Sequence, residues 1–482
     1  MISGRQQPFR FSRYFGLPLG SGLQWSRLNV MAHDMDDMDT RDGDMTLAVG
    51  GFGAIRGSSC PGIEALTLHT SIGDDRMTQA VSLHKDGVLA DVPSPTWITR
   101  DGDTLYAVLE DSNEVASFRI NRDGGTASDV DTADTDTVAG KRTTALSLTE
   151  LSRVPTPGSS PTHAAVAVDD LGGKHLIVAN YADGHVCVHP IAADGSVLEA
   201  TQVLAGKGRG PLPAQEGPHA HWIMPLPDSR VLSTDLGADR IYVHRWEHGR
   251  LERTGEVPMA SGTGPRDLHL LPIADAASND ADWRVAVVGE WANTVTLLDP
   301  ANATGALDTN DDTASIKVLQ TVDLGGDPLD QAASLAFVPW SALRRGESDG
   351  DADGNASGSG DGDDNKHDAG NAAVAAAVHD ISQHNDISGI AYVGLRGSER
   401  IVALAWDGER LSRLAPEDEP GWRGRGVDCG GSRPRHILPV GNLLLVANEV
   451  SNGLTVFHLA SDGEPTRVAD LPSGSPTVFV CL

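Results

Sequence analysis

A chain of 482 residues with a formal net charge of −30 and a sequence pI of about 4.8 presents a surface that a nucleic-acid backbone would repel, which sets general nucleic-acid binding aside. Hydrophobic residues make up 39%, enough for a sizeable core, yet no apolar run approaches the roughly 18 residues of a membrane helix, so no membrane partner is expected. The four cysteines, Cys60, Cys187, Cys429 and Cys481, contain no CxxC pair, which argues against a zinc site or a disulfide framework and fits a reducing cytoplasm.

Residues 1–44 show no strand alternation, and MAHDMDDMDTRDGD (31–44) is polar and acidic. This stretch reads as a disordered extension without the apolar core of a secretory signal, and Met31 is an alternative start. From residue 45 to 482 a single domain is expected. Its signal is a repeat: an apolar strand, a polar turn, a second alternating strand, then often DG. Copies start at Thr104, His175, Arg230, Arg284, Ile390 and Leu443, with a looser first copy at Thr46, seven in all. Leu176, Val231 and Val285 differ by 55 and 54, and Ala391 and Leu444 by 53, nearer the roughly 50 residues of a kelch-type blade than the 40–45 of a WD repeat. The step of 106 from Val285 to Ala391 is too long and holds both an acidic insertion and the degenerate strand AASLAFVP.

A second unit, usually a proline before an apolar strand, precedes each copy: PSPTWIT, SSPTHAAV, GPHAHWIM, GTGPRDLHLL, AASLAFVP, SRPRHILP and, last, GSPTVFVCL. The copy at Thr46 lacks such a strand before it, and the strand at Ser475 lacks a copy after it. Pairing these two ends cancels both deficits. The expected fold is all-β: a seven-bladed β-propeller closed by pairing of the C-terminal strand with the N-terminal blade. The acidic insertions at about 125–142, 274–282, 302–314 and 346–372 read as solvated loops. One begins like a calcium loop, with Asp349, Asp351, Asp353 and Gly354, but Gly360 stands where a bidentate glutamate is required.

Pocket chemistry in a propeller comes from equivalent positions of successive repeats. In GPHAHW, His219 and His221 share a face of an ideal strand, which sends Trp222 to the other side; one histidine can then meet the channel while the other lies nearer the strand interior. His163, His269 and His436 are scattered along their own strands, which does not make the three-ligand set a zinc ion requires. GPRDLHL supplies Arg266, VVGEWANTV supplies Glu290, and GLRGSER supplies Arg396, which reads as two blades further on. SRPRHIL and VANEVSN add Arg435 and Glu449, while Arg400 and Arg433 read as surface or inter-blade charges.

Taken together, PHAHW, TDLGADRIYV, GTGPRDLHL, VVGEWANTV, LRGSERIVAL and RPRHILPVGNLLLVANEVSNGLTVF resemble the lactonase seven-bladed propeller family, which includes propeller-type 6-phosphogluconolactonases and fungal carboxymuconate cyclases. The resemblance runs from about Thr46 to the C-terminus outside the insertions. It implies pocket roles for His219 or His221, Arg266, Glu290 and Arg396, while Arg435 and Glu449, from their positions in the repeats, are read as substrate contacts. GEW stands where asparagine commonly precedes the glutamate, and GPRD replaces the more usual GPRH. The implied activity is hydrolysis of a small anionic lactone, 6-phospho-D-glucono-1,5-lactone first, by a cytoplasmic monomer or weak homo-oligomer that needs no cofactor or metal. A histidine activates water while arginines hold the anion and the oxyanion; there is no GxSxG elbow for a covalent serine route. A related enzyme acting on another lactone, such as a muconate lactone, and a non-catalytic propeller scaffold are the alternatives.

Overall fold

Segments such as TLYAVL (Thr104–Leu109), HLIVAN (from His175) and LLLVAN (Leu443–Asn448) are apolar at nearly every position rather than at every second one. A strand with that pattern must bury both faces, which a radial stack of sheets provides. In the computed structural model, which describes residues 43–72, 79–122, 146–273, 283–300, 316–328, 330–344 and 387–482, these segments are the second strands of seven antiparallel sheets. The proline strands are the innermost ones: Pro476–Cys481 in blade 1, Pro95–Asp101 in blade 2, Pro161–Val168 in blade 3, Ala220–Pro225 in blade 4, Pro265–Pro272 in blade 5, Ala332–Pro339 in blade 6 and Pro434–Val440 in blade 7. AASLAFVP is thus a full inner strand, and the long step after Val285 is a single blade-to-blade step carrying an insertion.

The ring closes as the end deficits require. Strand Gly43–Gly51 pairs with Pro476–Cys481, with Leu47 opposite Cys481 and Val49 opposite Phe479. Gly51 is required there because a Cβ would overlap the Ser475 carbonyl. Val478 and Phe479 are fully buried, so the C-terminal strand is part of the core. Gly43–Gly51 begins just ahead of the predicted boundary at 45. Residues 1–42, the four acidic insertions and the calcium-like loop from Asp349 lie outside the described residues.

The fourth strand of each blade has no clear signature in the sequence. Lys317–Asp323 and Pro465–Pro472, for example, bury few side chains, because an outermost strand faces solvent along one edge and on much of both faces. The core lies between blades, as where Ile177, Ala179 and Val188 of blade 3 pack with Ala220, Ile223 and Val231 of blade 4.

Across the central channel the inner strands carry an aromatic plug. His163 stacks on Trp222 at 3.8 Å between ring centroids, and Trp97 lies 4.4 Å from His163 and 5.4 Å from His436. On one side of the plug a cavity of about 450 Å³ opens between the apolar strand ends; on the other lies the polar cluster.

Candidate active site

Each inner strand starts with a register shift. The shifts fall between Pro95 and Trp97, Pro161 and His163, Ala220 and Ile223, Pro265 and Leu268, Ala332 and Leu335, and Pro434 and His436. The residue just before the strand is left-handed in most blades: Ser94 (φ 46), Ser160 (φ 53), Gln331 (φ 54), Arg433 (φ 61) and Ser475 (φ 36). A bulge breaks the alternation of sides and re-aims side chains. Two consecutive residues of a strand therefore reach one cavity: Thr96 with Trp97, His221 with Trp222, Arg266 with Asp267, and Arg435 with His436. The second position of the inner strands, read round the ring, is Thr96, Thr162, His221, Arg266, Ala333, Arg435 and Thr477.

A second set follows the end of each second strand: Phe52, Glu110, Tyr181, Leu236, Glu290, Arg396 and Glu449. Backbone N–H groups of this set anchor to the entrance of the inner strand, from Glu110 to Ser94 O (3.0 Å), Tyr181 to Ser160 O (2.8 Å), Leu236 to His219 O (2.8 Å) and Glu290 to Gly264 O (2.8 Å). Seven-fold repetition of one local geometry thus delivers two residues per blade to the same mouth.

The charged members interlock. Glu290 forms ion pairs with both arginines, one oxygen 2.7 Å from Arg396 Nη2 and the other 3.1 Å from Arg266 Nε. Arg266 also donates to Asp267 Oδ1 (2.6 Å) and the Ala333 carbonyl (2.9 Å), and Arg396 Nε donates to the Gln331 carbonyl (2.9 Å). Arg435 donates to Glu449 at 2.9 Å, and its guanidinium lies 4.9 Å from the centre of the Phe52 ring. Arg56 covers the same ring and pairs with Glu110 at 2.9 Å. Burial pulls Arg266 down to about 10, against the opposing pull of Asp267, so it remains a cation at neutral pH. Burial also pushes Arg435 down, but Glu449 and Glu110 outweigh it and its proton is held more tightly than usual.

His221 is buried, and burial together with Arg266 and Arg435 holds its imidazole well below the ordinary histidine range, so it is neutral. Its Nδ1 has no hydrogen-bond partner among the described residues. His219 is half-buried, stacks on Tyr181 at 4.5 Å between ring centroids and places Nδ1 2.7 Å from the Tyr181 carbonyl.

The structure brings His221, Arg266, Glu290, Arg396, Arg435 and Glu449 to one mouth and sets His219 on its flank. Three expectations need correction. Trp222 does not face away from His221, because the bulge turns both inward and His219 precedes the strand altogether. Arg396 belongs to the blade next to Glu290, not two blades on, as their direct contact shows. His163 and His436 are not scattered: both hold the third position of their strands, where Nδ1 accepts the N–H of Ile223 and of Phe479 at 3.2 Å. That acceptor role fixes the neutral tautomer and makes both rings structural parts of the plug. Arg400 lies 3.5 Å from Asp330, at the entrance to the inner strand of its own blade, and Arg433 of blade 7 reaches Gln331 Oε1 of blade 6 at 3.4 Å. Sequence reasoning missed Glu110, Tyr181, Phe52 and Asp267. Aligning VLEDSN and ANYADG with GEWAN and ANEVSN would have placed Glu110 and Tyr181 beside Glu290 and Glu449.

Fold and site together define a closed seven-bladed propeller with a mouth of paired arginines and carboxylates around a neutral histidine. Residues 61–338 match the family described as lactonase, 7-bladed beta-propeller. The chain belongs to that family. A 6-phosphogluconolactonase of Bacillus subtilis (strain 168) is 28% identical over 200 residues, 40% of this chain and 50% of that protein. The chain spans about half the length of the curated relatives it matches. Two solved structures share the fold over nearly their whole length. One, from Bacteroides fragilis and provisionally described as a 6-phosphogluconolactonase, has 20% identity and a TM-score of 0.62, with 92% of this chain and 100% of that one covered. The other, a periplasmic gluconolactonase of Pseudomonas aeruginosa, has 22% identity and a TM-score of 0.60, covering 91% and 99%.

Proposed function

We propose that the protein hydrolyses a lactone bearing an anionic group, with 6-phospho-D-glucono-1,5-lactone as the first substrate to test. The observation that carries this reading is the convergence of Arg266, Arg396 and Arg435 on the neutral imidazole of His221, on a fold whose family is that of lactonases. Each guanidinium is oriented by a carboxylate, Glu290 or Glu449, before any substrate arrives. Preorganised donors of this kind are what a developing oxyanion needs, and a planar guanidinium matches phosphate in bidentate fashion.

In this reading His221 accepts a proton from water as the water oxygen attacks the lactone carbonyl. Arg266 carries the charge of the tetrahedral oxygen, and Arg396 and Arg435 hold the phosphate. The ring C–O bond then breaks, and its oxygen takes the proton from His221. Bound phosphate offsets the arginine charges that disfavour the imidazolium, so the substrate itself makes His221 a stronger base. A cytoplasmic setting belongs to the same proposal.

The test is release of 6-phosphogluconate by purified protein, measured against spontaneous hydrolysis. Unphosphorylated glucono-1,5-lactone and a muconate lactone run alongside. Acceleration of the phosphorylated substrate above the other two supports the proposal. No acceleration with any lactone ends it, and preference for the muconate lactone moves the chemistry to a different substrate.

A further inference from the structure

Beneath the mouth, against the aromatic plug, lies a polar cavity of about 20 Å³ lined by Thr96, Glu110, Thr162, His221, Arg266 and Arg435, among others. A polar chamber of that size takes one water molecule. Six buried atoms of its lining, Thr96 Oγ1, Glu110 Oε2, Thr162 Oγ1, His221 Nδ1, Arg266 Nε and Asp267 Oδ2, have no hydrogen-bond partner among the described residues. Buried polar groups left unpaired cost about 1–3 kcal/mol each, so their gathering around one small space marks a place for a water, which both donates and accepts. Glu110 Oε1 is tied to Arg56 at 2.9 Å and Thr96 lies beside the carboxyl, which fixes it in the chamber wall.

We propose that this chamber holds the hydrolytic water and that Glu110 is a second catalytic residue, gripping one hydrogen of the water while His221 takes the other. The inference rests on the lactonase reading and completes its proton balance. Hydrolysis of a lactone at neutral pH yields a hydroxyl, a carboxylate and one released proton. The hydrogen taken by His221 passes to the ring oxygen as the C–O bond breaks. The second stays on the new carboxylic acid, which transfers it to the Glu110 carboxylate and leaves as the carboxylate anion; Glu110 then loses it to solvent. No other reactant is needed. The charged and titratable groups around Glu110 are Arg56 from the turn Ala54–Arg56, its neighbour Asp111, Arg435 of blade 7 with its partner Glu449, and, across the chamber, His221, Arg266, Asp267 and His436. Burial raises Glu110, against Arg435 and Arg56, while burial and the arginines lower His221. The raised affinity of Glu110 suits it to accept the proton that the new carboxylic acid releases.

The test compares wild type with Glu110→Gln and Glu110→Asp on the lactone the wild type turns over fastest. With Gln, kcat falls about 100-fold or more, KM and the dissociation constant of 6-phosphogluconate stay within about threefold, and the part of the acidic limb of the kcat profile that Glu110 contributes is lost, leaving only that of His221. Asp retains the carboxylate's part of the limb with a smaller loss. A Gln variant with wild-type kcat, a loss confined to KM, or an unchanged acidic limb overturns the proposal; should Gln fail to fold, the limb and kcat of Asp decide. Independently of turnover, a high-resolution crystal structure of the wild type must show ordered water within about 2.6–3.2 Å of both Glu110 Oε2 and His221 Nδ1, and an empty or differently filled chamber overturns it as well. A wild type inactive on every lactone would instead refute the functional reading.

Discussion

Replacing Arg266 by methionine tests the site where its contacts are densest. Arg266 is 4% exposed, and its guanidinium meets Asp267 at 2.6 Å, the Ala333 carbonyl at 2.9 Å and Glu290 at 3.1 Å. Methionine fills much of the volume but strands two buried carboxylates and a carbonyl without their cation. Breaking one side of a buried ion pair costs about 3–5 kcal/mol of stability. If Arg266 also carries the oxyanion, kcat falls about 10²–10³-fold, or roughly 2.7–4 kcal/mol of transition-state stabilisation. Arg266→Lys separates the two effects. One ammonium keeps the charge but cannot reach all three partners along the fork, so stability recovers more than kcat. The assay pairs initial rates on 6-phosphogluconolactone with urea unfolding of the same samples. A folded Arg266→Met protein with kcat/KM within about threefold of wild type would refute the role given to this arginine.

Other outcomes follow from the same contacts. Glu290→Gln removes the anion that holds Arg266 and Arg396 in place, and a misplacement of about 1 Å should lower kcat/KM by about 10²-fold in steady-state assays; a loss under threefold would mean that the arginines are positioned without it. Burial lowers His244 to about 3 and His436 to about 4, and His163 and His221 well below the usual range. The unfolded chain therefore binds more protons between about pH 6.5 and 4, so stability falls as pH drops through that window, by about 1.4 kcal/mol per pH unit for each such histidine. Urea midpoints at pH 7 and pH 4.5 check this, and His244→Gln should flatten the slope by about one proton; a midpoint that rises on acidification contradicts the neutral assignments. Phe479→Ala, within the closing strand, should cost about 3–5 kcal/mol in the same unfolding assay, whereas Val168→Thr, half exposed at the opposite rim, should stay within about 0.5 kcal/mol. Equal effects would mean that the C-terminal strand adds little to the ring.

The ring and its closure were legible in the chain because their signals are local. The apolar second strands announce burial on both faces, and the unmatched proline strand at Ser475 and unmatched copy at Thr46 can be satisfied only by each other. Repetition also exposed Arg266, Glu290, Arg396, Arg435 and Glu449, since equivalent positions in a propeller converge whatever their distance in sequence. The outer strands, the inward turn of both His221 and Trp222, the adjacency of Glu290 and Arg396, and the inclusion of Glu110 were decided only by the tertiary structure. An outer strand buries too little to impose alternation on its residues. A one-residue bulge reverses which side chains face the axis, and its position depends on hydrogen bonds to a strand that follows in the chain. Whether Glu110 meets His221 depends on how blade 2 and blade 4 sit around a common channel, a distance that no spacing along one strand encodes.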